Sequence, residues 1–368
     1  MLVQHPEARG PAPKLTTHLV GALRSLDCSV VTHPWGQRRG SEPLLKKLTQ
    51  RPRDVLSVRR TLQDQKFDVA VVNTAHDWRT LLRDIAVVLV IRRRCRPVVL
   101  QLHGSLASTL VEPGRHAFKL VTAALLALID GMMVLSTEEQ HEWQRFRRRP
   151  PVFTVTNPYV RVFPSNTRRT TASSAPRRRV LFVGRLIADK GIFELIDALP
   201  DVLEHSQCDL VIVGEGPQAR ELRDRIHRRG LESHVILTGY LTGSELIDQY
   251  RQATVFVLPS WTEGFPTVLA EAMDAGLPIV TTRIRGAADH LVSGENAFLV
   301  EPGDVKGLAS AINLLLKDRE LRMRMSTANR KRVRLFEPRV VAVQYLDVLQ
   351  SVIGACRTDA ESDEPVRI

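Results

Sequence analysis

The chain has 368 residues, 43% hydrophobic and 25% charged, which suits two α/β domains better than one ordinary core and excludes a fibrous or wholly disordered protein. Its net charge of +12 is unevenly spread: residues 1–179 hold 30 Lys and Arg against 13 Asp and Glu, while the remaining 189 hold 22 against 27. A basic half fits an anionic partner, whether a membrane surface, a phosphorylated acceptor or nucleic acid; it also fits a solubilising charge excess.

The first half reads as buried strands at Cys28–Thr32, Val69–Asn73, Val98–Leu102, Gly131–Leu135 and Val152–Val155, which are β-branched and poor in charge. Helix-length stretches such as Leu15–Leu26 and Arg79–Arg92 lie between them, and this alternation implies a parallel sheet. Only Met1–Val3 precedes the first turn region, so either the first strand is very short or the true start lies upstream. Residues 164–179 are rich in Ser, Thr, Pro and Arg and read as a linker. The alternation restarts with strands at Val180–Val183, Leu210–Val213, Val235–Leu237, Val255–Leu258, Ile279–Thr281 and Phe298–Val300, a second doubly wound domain. A last helix follows Glu337-Pro338 and runs to about Ile353, and the tail Cys356–Ile368 reads as disordered. The expected organisation is thus a first domain over 1–163, a linker over 164–179, a second domain over 180–337, a C-terminal helix over 338–355 and a tail over 356–368.

The four cysteines, Cys28, Cys95, Cys208 and Cys356, form no C-x-x-C pair and have no His at zinc spacing, which points to a reducing compartment and no structural metal. The best membrane candidate, Ala117 to Leu135, is broken by Lys119 and Asp130, so no segment is expected to span a bilayer. Met1 is not followed by a basic-then-apolar signal segment. The expected localisation is cytoplasmic, with peripheral attachment to the inner face of a membrane open. No aromatic-interleaved or finger motif points to nucleic acid.

Three strand-to-turn-to-helix junctions carry candidate chemistry. Strand Val180–Val183 ends in Gly184, Arg185 follows, and Asp189-Lys190-Gly191 opens a helix; two cations at the carboxyl edge of a sheet suit a diphosphate, although each also reads as an ordinary surface charge. Gly214-Glu215-Gly216-Pro217 permits tight backbone geometry, with Pro217 suited to the first helical position, but it lacks the third Gly of a dinucleotide fingerprint. Glu263-Gly264-Phe265-Pro266-Thr267 leads into a helix carrying Glu271. Pro266 suits its first turn, free amides there bind an anion or hydroxyls, and the two carboxylates could grip a sugar and a ribose. His103 follows strand Val98–Leu102, where it could contact a sugar or be structural. No D-x-D pair sits at a strand end, which argues against a metal-bridged diphosphate.

These residues carry a resemblance. The E-x7-E element Glu263 to Glu271 with its G-F-P start resembles the donor-site motif of family-4 (group 1) retaining glycosyltransferases. Gly184-Arg185-Leu186 with Asp189-Lys190-Gly191, Val213 to Pro217, and Gly294 to Asp304 resemble further signatures of that family, and Asn157-Pro158 with Phe163 resembles its segment before the linker. The likeness spans about residues 10–350. It departs at Arg9 to Pro13, where a Gly-rich loop keeps one Gly, and at Ala297, a usual Gly.

The resemblance implies an α/β GT-B architecture: two Rossmann-like domains facing a central cleft that holds the active site, with a C-terminal helix crossing back to the first. It implies that Arg185 and Lys190 bind the donor diphosphate, Glu271 the ribose, Glu263 the transferred sugar, and that His103 sits near the reaction centre. Gly184, Gly214, Gly216, Gly264, Phe265, Pro266 and Thr267 complete the expected donor site. The expected activity is metal-independent, retaining transfer of a hexose-type sugar from a nucleoside-diphosphate sugar to a glycan or lipid-linked acceptor, in cell-surface polysaccharide or glycolipid synthesis, with no other cofactor. A catalytically inactive subunit of the same fold, or a sugar-nucleotide epimerase, is the alternative.

Overall fold

The computed structural model describes residues 1–4, 12–35, 44–105, 107–163 and 178–362. The chain divides into two units, Met1–Val160 with Phe336–Ile368, and Arg161–Leu335.

The first unit contains β1 (Leu2–Gln4), α1 (Ala12–Arg24), β2 (His33–Trp35), α2 (Leu44–Asp64), β3 (Ala70–Thr74), α3 (Trp78–Arg92), β4 (Val98–Leu102), α4 (Ser108–Val111), α5 (His116–Leu126), β5 (Gly131–Val134), α6 (Thr137–Phe146) and β6 (Val152–Thr154). The strands form one parallel sheet in the order β2-β1-β3-β4-β5-β6. Successive side chains of a strand face opposite sides, and both sides are buried. Val72, Leu100 and Met132 pack under Val87, Val88 and Ile91 of α3, while Val71, Val99 and Met133 pack on the other face with Leu19 of α1. That double burial is why the strands read as continuous apolar runs. α6 begins where Ser136 Oγ accepts from Glu139 N at 3.2 Å, an N-cap.

The second unit contains β7 (Arg178–Val183), α7 (Ile192–Leu203), β8 (Cys208–Val213), α8 (Ala219–Arg228), β9 (Val235–Gly239), α9 (Gly243–Gln252), β10 (Val255–Leu258), α10 (Thr267–Asp274), β11 (Ile279–Thr282), α11 (Arg285–His290), β12 (Ala297–Val300), α12 (Val305–Lys317) and α13 (Arg319–Arg332). Its parallel sheet is ordered β12-β11-β10-β7-β8-β9. Asp304 and Asp318 cap α12 and α13 by accepting from Gly307 N and Leu321 N, each at 2.9 Å. α14 (Pro338–Ser362) then belongs to the first unit, where Val341, Ala342, Tyr345, Leu349 and Val352 complete the core beside α1. The buried Tyr345 hydroxyl donates to Gln101 Oε1 of β4 at 2.8 Å.

Several expectations need correction. Cys28–Thr32 is not a strand; the strand is His33–Trp35, beside the short β1. Pro217 lies two residues before α8 rather than at its first position, because Leu186 O holds Gln218 N at 3.2 Å and delays the helix. Arg161–Phe163 belong to the second unit: the buried Asp274 carboxylate accepts from Arg161 Nε at 2.8 Å, Val162 N at 2.7 Å and Phe163 N at 3.0 Å. The tail expected to be disordered from Cys356 is helical to Ser362, and residues 363–368 lie outside the described residues. Residues 338–358 of α14 are long and apolar enough to cross a bilayer, with mean hydropathy 1.2, contrary to expectation, but this helix supplies core residues. Of the expected linker, 164–177 lie outside the described residues, as do Arg9, Gly10 and Pro11.

Candidate active site

In the second sheet the chain moves outward from β7 to β8 and β9, then returns to β10 on the other side of β7. The carboxyl ends of β7 and β10 therefore flank a topological switch point, where open α/β sheets bind ligands. Both strands end at the predicted residues. β7 passes through Gly184 to the exposed Arg185. A 3-10 turn, Ala188–Lys190, follows, and Gly191 closes it with φ 66°. A Cβ there would lie 1.8 Å from Pro259 O, so only Gly lets this turn press against the loop after β10. Trp261 N donates to Asp189 O at 2.8 Å, and Trp261 Nε1 to Glu194 Oε1 of α7 at 3.0 Å, tying the loop after β10 to this turn and to the helix after it.

That packing brings Lys190 Nζ into an ion pair with Glu263 Oε1. Ser260 Oγ, fully buried, also lies 3.5 Å from that oxygen. Burial lowers the Lys190 ammonium to about 8, and the charge of Arg185 acts in the same direction against Asp189; Glu263 in contact favours the charged form. Lys190 thus faces a largely buried carboxylate with the charge of Arg185 close by, an arrangement able to take a further anion. Gly214 belongs to the same edge: its N donates to Gly239 O at 2.8 Å, and a Cβ on it would fall 1.9 Å from Gly184 O. Gly216 sits against Leu186 O in the same manner, so both glycines let the loop after β8 lie backbone-to-backbone on the loop after β7.

The Glu263–Glu271 element crosses from loop to helix. Gly264 O accepts from Gly286 N at 2.7 Å. Phe265 is buried, with its ring edge-on to His290 at 5.0 Å. Pro266 is extended, at φ −68° and ψ 126°, so it stands before α10 and Thr267 is the first helical residue; this corrects the expected placing of Pro266 within the helix. No side chain caps α10, which leaves its positive end for a ligand. Glu271, one turn on, accepts from the Tyr250 hydroxyl at 2.7 Å. Tyr250 is 2% exposed and stacks on Phe256 at 5.8 Å. Sequence reasoning missed Tyr250 and Trp261, since nothing in a spacing of 21 residues marks a phenol as a carboxylate's partner.

His103 lies in the first unit, just past β4. Its N donates to Thr74 O at 3.0 Å and its Nε2 to Asn73 Oδ1 at 2.9 Å, while Asn73 Nδ2 donates to Leu2 O at 2.8 Å. Because the Asn73 amide nitrogen is committed, its oxygen faces the ring, which places a proton on Nε2, and the Asn157 side chain also bears on the imidazole. Burial lowers the imidazole to about 4, so the ring is neutral at physiological pH. Asn157 of the expected pre-linker segment is also buried here, in the first unit.

Residues 165–332 match the sequence family described as Glycosyl transferases group 1. Glycogen synthase of Mycobacterium tuberculosis is 36% identical over 155 residues, 42% of this chain and 37% of that protein, so the chain spans well under half the length of that curated relative. Among solved structures, sucrose-phosphate synthase from Thermosynechococcus elongatus aligns with a TM-score of 0.76 at 21% identity, covering 96% of this chain and 98% of that one. Anabaena HepE in complex with UDP-glucose aligns with a TM-score of 0.71 at 20% identity, covering 95% and 98%. These likenesses show the fold, GT-B.

Proposed function

We propose that the chain, whose residues 165–332 match the glycosyl transferases group 1, is a glycosyltransferase that transfers a hexose-type sugar from a nucleoside-diphosphate sugar to a glycan or lipid-linked acceptor, with retention of configuration and without a metal ion. The observation that carries this reading is the convergence of Arg185, Lys190 and Glu263 at the switch point between β7 and β10, with the uncapped start of α10 on the same loop. The departing nucleoside diphosphate develops negative charge as the bond to the anomeric carbon breaks. Arg185, Lys190 and the amides at Thr267 meet that charge in place, which is the largest lever such a site has. Glu263 moves from Lys190 to a hydroxyl of the donor sugar, and Glu271, aimed by Tyr250, holds the ribose. Attack from the face of the leaving group retains the anomeric configuration. The solved complex of HepE with UDP-glucose makes UDP-glucose the first donor to try.

We place the enzyme in the cytoplasm, in cell-surface polysaccharide or glycolipid synthesis, with an acceptor at the inner face of a membrane; the basic first half supports this. A screen of nucleoside-diphosphate sugars with mass detection of the glycosylated product tests the reading. A product heavier than the acceptor by one hexose supports it. An epimerised donor with no acceptor product, or no turnover of any donor, rejects it in favour of an epimerase or an inactive subunit.

A further inference from the structure

In the first unit α3 and α5 lie side by side. Trp78 at the start of α3 packs edge-on against Phe118 near the start of α5, with ring centres 5.2 Å apart. At the other end Arg92 donates to Leu128 O, just past α5, at 2.9 Å. The two helices therefore run in the same direction, and their inner residues, among them Leu81 and Ile91 of α3 and Phe118 and Leu125 of α5, are buried in the core.

Their outer faces are apolar as well. Trp78, Leu82 and Leu89 recur at helical spacing on α3 and are 46%, 61% and 43% exposed; Leu120 on α5 is 73% exposed. Ala86 and Ala124 are exposed on the same helices, and Ile85 and Val121 are only partly covered. Isolated exposed leucines are ordinary, but four exposed large apolar side chains on two adjacent helices mark an interaction surface.

Cations border one end of this surface. Arg92 ends α3, and Arg93, Arg94 and Arg96 follow it. Arg147, just past α6, donates to Ala123 O of α5 at 2.9 Å, which brings the exposed run Arg145, Arg148 and Arg149 to the same end. Beside it lies an open cavity of about 620 Å³ lined by His141, Gln144 and Arg145 to Arg148. Asp130 pairs with Arg92 and Arg96 at 3.5 and 3.3 Å, yet residues 78–149 hold 12 Lys and Arg against 6 Asp and Glu, and two of those acids, Asp84 and Glu139, are buried. The region stays strongly positive.

The charge pattern selects the occupant. A second copy of the chain would set Arg against Arg. A soluble polyanion has no use for Trp78 and the leucines. A lipid surface offers apolar chains and anionic phosphates within one headgroup depth, matching both parts of this face.

We propose that the outer face of α3 and α5 docks the protein peripherally on anionic lipid, with Trp78, Leu82, Leu89 and Leu120 entering the headgroup–acyl boundary and the bordering arginines meeting lipid phosphates. This rests on the membrane part of the reading above and not on the donor site.

Flotation of the full chain with phosphatidylcholine vesicles, with and without phosphatidylglycerol, tests it, alongside solution donor turnover and circular dichroism. The wild type should float only with phosphatidylglycerol. Raising salt from 0.1 to 1 M, which shortens the Debye length from about 10 Å to about 3 Å, should release it. Leu82→Ser with Leu120→Ser, and separately Arg93→Ala with Arg148→Ala, should each weaken binding by about ten-fold or more while fold and turnover stay unchanged. No flotation of the wild type, flotation undiminished in both double variants, or a wild-type dimer that Leu82→Ser with Leu120→Ser dissolves would each overturn the docking surface. Wild-type turnover reports on the donor reading alone, so the two readings fail separately.

Discussion

The hydroxyl of Tyr250, on α9, donates to Glu271 Oε2, on α10, at 2.7 Å. The phenol is held between Phe256 and Phe163, at 5.8 and 6.1 Å, so the carboxylate of Glu271 is aimed by a side chain that itself has little freedom. Tyr250→Phe keeps the ring and removes the donor. Donor KM should rise by about ten-fold, the worth of roughly 1.5 kcal/mol for a hydrogen bond to a charged group, with kcat little changed. Steady-state kinetics check it, and a fall in kcat at constant KM would mean that Glu271 acts in the chemical step.

Arg185→Ala and Lys190→Ala should each lower turnover by about 10² or more, since in the proposed site each removes a charge facing the departing diphosphate. Because Lys190 is lowered to about 8, its positive form is lost as pH rises through that value. Donor KM should therefore climb above pH 8 in the wild type and not in Lys190→Ala. Near-normal rates in both variants would reject the diphosphate assignment.

Glu271→Ala should weaken free nucleoside diphosphate, whereas Glu263→Ala should mainly weaken the sugar-bearing donor. Glu263→Ala also frees Lys190 from its ion pair, so binding of the bare diphosphate should hold or tighten. Calorimetry with both ligands decides the matter, and equal losses for the two variants would count against separate roles.

If, as proposed, Arg185, Lys190 and the start of α10 meet the charge on the leaving group, turnover should survive a strong chelator. Activity abolished by chelation and restored by magnesium or manganese would show the donor site to be misread.

Stability should fall as the solution is acidified below about pH 6.5. Burial lowers His76, His103 and His290 to about 4, from the ordinary 6.5. Above 6.5 neither state holds the proton. Between 6.5 and 4 the unfolded chain binds it and the folded chain does not, so each ring removes at most about 1.4 kcal/mol per pH unit. Urea unfolding across that range should show the slope, and a midpoint independent of pH would contradict it.

The sequence by itself determined the fold class and marked the loops at the carboxyl edge of the second sheet. Runs such as Val98–Leu102 and Val255–Leu258 are buried on both faces, so apolar continuity alone marks a parallel sheet. Gly191, Gly214 and Gly216 are legible because close backbone approach at loops after strands leaves room for nothing larger. Tertiary structure decided what depends on partners distant in the chain. Arg161–Phe163 join the second unit only because Asp274 collects their donors from 111 to 113 residues away. Tyr345 anchors α14 to Gln101 across 244 residues, and Asn73 sets the tautomer of His103. Local pattern reports which residues are apolar, small or charged. It cannot report which of them meet, because those contacts form only once the sheets have brought remote segments together.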